Sequence, residues 1–174
     1  MPPIRLDTPS VGPRVRASLG DLLVIAGWIG MLTAAGVVVR GPLPPGGDPP
    51  LLATDLAVFA CTVLPVGSYL AVGEAGARQA GWGKRRAGLR VVRADGGRPS
   101  AARVVARTAV KLLPWQLAHI AVARLILGVD DPAVTWTTYA LSLAIPLLSV
   151  TMAVRDLQRR ALHDRVAGTR VVAV

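Results

Sequence analysis

Basic residues and long apolar runs alternate along this chain, and that alternation leaves few folds open. Four apolar stretches run over about 17–39, 51–73, 108–128 and 134–154. Arg5, Arg14 and Arg16 precede the first. Arg78, Lys84, Arg85, Arg86, Arg90, Arg93, Arg98, Arg103 and Arg107 separate the second from the third, and Arg155, Arg159, Arg160, Arg165 and Arg170 follow the fourth. The other two connections hold only Arg40. Each stretch has the length needed to cross a hydrocarbon core of roughly 30 Å. Lys and Arg beside such spans stay on the cytoplasmic side. The pattern therefore predicts an all-α integral membrane protein with four transmembrane helices and both termini in the cytoplasm.

Size agrees with that reading. Four spans take up about half of the 174 residues, and no connection is long enough for a separate soluble domain. Residues 1–12, with three prolines, are expected to be a flexible cytoplasmic N-terminus. Residues 13–174 then form a single membrane domain with a basic cytoplasmic loop at 75–107 and a cytoplasmic tail at 155–174. The first apolar run is long for a cleaved signal peptide and carries Asp21, so it is expected to be retained. The formal charge of +10 would suit nucleic acid on a soluble domain. Beside membrane spans it instead sets topology and meets anionic lipid headgroups, so the expected partners are the bilayer and its anionic lipids, not nucleic acid.

Cys61, the only cysteine, lies in an apolar segment and reads as a packing residue. Metal-ligand spacings and phosphate-binding glycine loops are absent from the sequence. No cofactor, no metal and no enzymatic activity are expected.

Pro13 suits the first turn of helix one. The run RGPLPPGGDPP at 40–50 forms an outer connection. Pro65 marks a kink in helix two. Ser100, after Pro99, is an N-cap candidate for helix three. Trp136 and Tyr139 belong at the outer interface of helix four. Two cytoplasmic segments, LRVV at 89–92 and TRVV at 169–172, are rich in β-branched residues. They are predicted to pair as a small two-stranded sheet lying on the helices or on lipid, since such a ribbon is weak alone.

The polar residues inside the spans are the candidate sites. Asp21 sits about one turn inside helix one and needs a basic partner or an ion. Arg14 shares its face but stands about 10 Å away, so Arg107 or Lys111 is the better expected partner. Asp55 and Arg124, at similar depth on helices two and three, are predicted to form an ion pair. Gln116 and His119, three residues apart on helix three, form either an interhelical hydrogen-bonding pair or a polar ligand site. Ala26, Gly30 and Ala34 make a close-approach face on helix one, which suggests a homo-oligomer or another membrane subunit.

Together, RVRASLGD at 14–21, GWGKRRAGLRVVRADGGRPS at 81–100, Arg107, and RRALHDRVAGTRVV at 159–172 resemble the RDD family of bacterial membrane proteins. The similarity spans most of the chain. By that resemblance Arg14 and Asp21 are the family's arginine and first aspartate. Asp164 is a better candidate for the second than Asp95 or Asp55. The loop residues Gly83, Lys84, Arg85, Asp95 and Gly96, with His163, belong to the same motifs. Trp82 stands where the family usually has Thr. The resemblance implies a bacterial inner-membrane location and suggests transport of unidentified ligands, or an accessory role in a larger assembly, without a mechanism.

Two functions follow. In the first, buried polar residues bind or pass a small solute or ion, with Asp21 and a basic partner as inner gate and Gln116 with His119 as interior site. In the second, the chain is a non-transporting scaffold or accessory subunit, its basic loop binding lipid or a partner. A membrane enzyme using His163 is a distant third, because no Ser or Cys stands near the His163–Asp164 pair.

Overall fold

The computed structural model describes residues 7–40 and 50–174. Most of the predicted outer connection lies outside them, as do the first six residues. The elements are α1 (Val11–Arg40), α2 (Leu51–Ala75), α3 (Trp82–Arg86), β1 (Leu89–Arg93), α4 (Ala101–Ile126), α5 (Pro132–Arg155), α6 (Leu162–Ala167) and β2 (Thr169–Ala173). α1, α2, α4 and α5 are long and apolar enough to cross a membrane. Their apolar side chains are largely unburied within the chain, as the 77% exposure of Ile126 illustrates, which is compatible with a surrounding bilayer.

Several expected boundaries move. α1 begins at Val11, inside the segment expected to be flexible, and the Asp7 carbonyl accepts a hydrogen bond from the Ala173 N–H at 3.1 Å. α4 starts at Ala101, where its expected N-cap Ser100 places it, and so takes in residues 101–107 of the basic loop. Ser100 caps it by accepting from the Arg103 N–H at 3.4 Å. At Pro65 the helix widens. Proline cannot donate to the carbonyl four residues back, that of Cys61. The Trp28 indole N–H donates to that carbonyl at 2.9 Å, and one π turn, Phe59–Val63, precedes the proline.

β1 and β2 pair antiparallel, with Leu89 opposite Ala173 and Arg93 opposite Thr169, one residue longer at each strand than expected. Neighbouring strand residues point to opposite faces, yet Val91 and Val92 are both buried, as are Val171 and Val172. The ribbon is therefore covered on both sides. One face packs Leu89, Val91 and Val171 on Ala17 of α1. Its edges are also closed. Gln79 accepts from the Val91 N–H at 2.8 Å through its backbone and donates to the Val91 carbonyl at 2.9 Å through its side chain. Arg14 donates to the Val171 carbonyl at 3.3 Å on the other edge. Strand edges left open would waste these backbone groups.

The result is a bundle with one charged end. There the sheet, α3, α6 and the starts of α1 and α4 gather, with both described termini. α4 packs on α5 and α2, while α1 packs chiefly on α3.

Candidate functional site

The charged end is held by a chain of buried ion pairs. Asp21 on α1 lies 3.5 Å from Lys84 on α3. Lys84 reaches Glu74 at the end of α2 at 2.9 Å. Glu74 pairs with Arg107 on α4 at 3.1 Å, and Arg107 with Asp164 on α6 at 3.1 Å. Asp164 also accepts from the Thr169 hydroxyl at 3.2 Å and from the Ala161 N–H at 3.3 Å. Glu74 and Asp164 are 1% exposed and Arg107 2%, so water shields these charges little and each depends on its partners.

Asp21 is satisfied three ways. Besides Lys84 it accepts from the Tyr69 hydroxyl at 2.9 Å and from the Gly83 N–H at 2.9 Å. The Gly83 N–H is one of the first in α3 and has no partner within the helix. α3 comes this close because its start is glycine. A Cβ built on Gly20 would lie 2.9 Å from the Gly83 Cα, and one on Gly73 would lie 2.8 Å from the Gly81 Cα. Such approach requires residues without side chains.

The expected partner of Asp21 is thus corrected. It is Lys84, not Arg107 or Lys111. Arg107 is committed to Glu74 and Asp164, on the far side of Lys84 from Asp21. Glu74 was missed by sequence reasoning. Its signal is that it is the only glutamate in the chain and stands at the head of the long basic loop. Asp156 was missed as well. It gathers Arg160 and Arg165, each at 3.1 Å, and the Gln158 N–H at 2.8 Å, which holds its carboxyl below the ordinary range.

The other candidates stand apart. Arg14 donates to the Arg159 carbonyl at 2.8 Å and to Val171, tying α1 to the tail. Asp95 sits in an exposed turn with Arg93 at 3.1 Å, and Gly96 there has φ +94°. The Gly97 N–H holds the Asp95 carboxyl below its usual range. Arg85 is exposed on α3. Trp82 carries Arg86 over its ring at 4.8 Å. Toward the other ends of α2 and α4, Arg124 grips Asp55 with both terminal nitrogens, at 3.3 and 3.2 Å, a bidentate geometry. His119 accepts from Trp115 at 2.9 Å and lies 3.5 Å from Thr62. Gln116 is not bonded to it, and its Oε1 is buried without a partner among the described residues. The structure therefore does not join Gln116 or His119 to Asp21.

A cavity of about 150 Å³ opens beside the ion-pair chain, lined by Arg14, Ser18, Lys84, Arg107, Lys111, His163 and Asp164 among others. Asp21, Gln116 and His119 do not line it. Among the described residues no cluster of His, Cys, Asp or Glu is placed to hold a metal ion.

His163 lies 3.6 Å from Asp164, which favours the charged ring. Burial, together with Arg107, Lys111, Lys84 and Arg14, outweighs this and holds its pKa well below 6.5. His163 is then neutral in the folded protein at neutral pH. Its contribution to stability is complete above about 6.5, where the unfolded ring is neutral too, and is lost as pH falls below that value. Between roughly pH 7 and pH 5 the unfolding midpoint of the wild type in detergent should fall more steeply than that of His163→Gln. Parallel pH profiles would show that His163 is not held neutral.

Four long apolar helices, three of them joined at one end by buried ion pairs, define a helical membrane protein. Residues 8–168 match the model of the RDD family, and the chain belongs to that family. No curated protein matches it. Of Asp55, Asp95 and Asp164, only Asp164 shares the ion-pair chain with Asp21.

Proposed function

We propose that this is a multi-pass protein of a bacterial inner membrane, with both termini and the charged end in the cytoplasm, which binds a small solute or ion at that end. The distribution of cations supports the orientation. Lys84, Arg85, Arg86, Arg90, Arg98, Arg103, Arg155, Arg159, Arg165 and Arg170 all belong to the end that carries the described termini, as the positive-inside rule requires of a cytoplasmic face.

The cavity carries the binding assignment. Four basic side chains converge on it from α1, α3 and α4, and a concave space with convergent polar groups is the physical form of a ligand site. Asp21 and His119 are both bonded to protein donors, so the binding role is assigned to the cavity.

The test has two arms. In a Cys61→Ala background, Arg86→Cys should react with an impermeant thiol reagent only after cells are opened. A survey of small anions, cations and neutral solutes on the detergent-purified protein should find one that raises the unfolding midpoint. A ligand at a hundredfold excess over its Kd stabilises by about 2.7 kcal/mol. Labelling of intact cells from outside refutes the orientation, and a survey in which nothing shifts the midpoint refutes the binding.

A second reading, an accessory subunit, is favoured by α1. A Cβ built on Gly30 would meet nothing within 4 Å, and Ala26 and Ala34 are exposed, so the small-residue face of α1 is open to another helix. Co-purification of a stoichiometric membrane protein would favour this reading.

A further inference from the structure

We infer that the cavity at the charged end is a site for a phosphate-type oxyanion, held by Arg14 and Lys111 with the His163 ring beside them. This rests on the binding role proposed above and names its ligand class.

The charges around the cavity do not balance. Lys84 and Arg107 are matched by Asp21, Glu74 and Asp164 through contacts of 2.9–3.5 Å. Arg14 and Lys111 have no carboxylate partner among the described residues. Arg14 spends its terminal nitrogens on backbone carbonyls, and its Nε is buried without a partner. Four cations against three carboxylates leave one positive charge uncompensated, beside side chains that are partly buried. Such a charge calls for a counterion. The local field is felt at His163, whose pKa is lowered by burial and then by these same four cations.

The chemistry of the lining selects the anion. A guanidinium and the Ser18 hydroxyl from α1, an ammonium from α4 and an imidazole from α6 line it, an arrangement that suits the several acceptor oxygens of a phosphate group. A metal cation would meet net positive charge and carboxylates already taken. A cavity of about 150 Å³ is the size that admits a benzene molecule. A phosphate group fits, while a nucleotide or an acyl chain does not fit inside. The phosphate can come free from solution or on a lipid headgroup whose chains stay outside.

The experiment uses the full chain in detergent at low salt. Inorganic phosphate should raise the unfolding midpoint saturably, above chloride at equal ionic strength. Lys111→Met and Arg14→Gln should each weaken that response about tenfold or more, the worth of one charged hydrogen bond. Arg155→Gln, away from the cavity, should leave it unchanged. Without phosphate, Lys111→Met should raise the midpoint, because it removes an unmatched charge; a merely structural lysine would lower it.

If inorganic phosphate has no effect but vesicles containing phosphatidic acid stabilise the wild type and not Lys111→Met, relative to phosphatidylcholine alone, the phosphate is a headgroup and the inference stands. If neither phosphate source acts but a cation or neutral solute shifts the midpoint, the oxyanion inference falls while the binding role survives. If no solute acts, both fall. A phosphate response that Lys111→Met and Arg14→Gln leave intact also overturns the inference.

Discussion

Glu74→Ala should destabilise the protein by about 3–5 kcal/mol, the usual loss when one member of a buried ion pair is removed. The size follows from what is left behind. Glu74 is 1% exposed and lies between Lys84 at 2.9 Å and Arg107 at 3.1 Å. Without it, both cations keep one carboxylate each, Asp21 and Asp164, while Lys111 and Arg14 stand nearby with none. Three carboxylates facing four cations become two. Glu74→Gln should recover part of the loss by keeping the shape and one acceptor. Thermal or denaturant unfolding in detergent would measure it. A change of less than about 1 kcal/mol, the value of an exposed pair, would mean that water screens this chain of charges.

Gly83→Ala should detach the basic loop from α1. A Cβ at Gly83 would overlap the Ala17 carbonyl, lie 2.6 Å from the Asp21 N and 2.9 Å from its Oδ1. Those atoms belong to helix backbone and to a carboxylate held by three donors, so nothing near can give way. α3 must move, and the Gly83 N–H and Lys84 contacts to Asp21 move with it. The expected cost is about 1–3 kcal/mol, typical of overpacking, or more. The distinguishing readout is local. Proteolysis in the loop between α2 and β1 should rise many-fold while the four long helices remain folded. Unchanged protection of the loop would refute the close packing of α3 on α1.

The sequence reading recovered the long helices and the strand pair, and it failed on the partners of the buried charges. The reason is geometric. Apolar length and basic flanks report how deep a residue sits, and Asp55 and Arg124 could be matched because depth and opposite sign suffice for two lone charges. At the charged end many cations share one depth, and only the rotation of each helix decides which meets Asp21. Glu74 lay hidden because an acid at the end of a span reads as a solvated flank. Gly83 was visible as a motif residue, but the cause, contact with Ala17 and Asp21 more than sixty residues away in sequence, belongs to tertiary structure. Gln116 and His119 share a helix face as expected, yet His119 bonds to Trp115 and approaches Thr62 on α2, choices that periodicity does not encode.

The reach of Arg14 to the Arg159 carbonyl spans 145 residues of sequence. When α1 leaves the ribosome, nothing that fastens it to the tail yet exists. Lys84 and Gly83 can dock on Asp21 midway through synthesis, but Arg107 waits for Asp164, and β1 waits for β2. Closing contacts between such remote segments carries an entropic cost that rises with their separation. All four long helices are therefore synthesised before this end can be sealed. Until residues 159–173 arrive, Val91 and Val92 lack their partner strand, and the nascent protein presents an open β edge and an Arg107 matched by Glu74 alone. Shortening the tail would prolong that vulnerable interval.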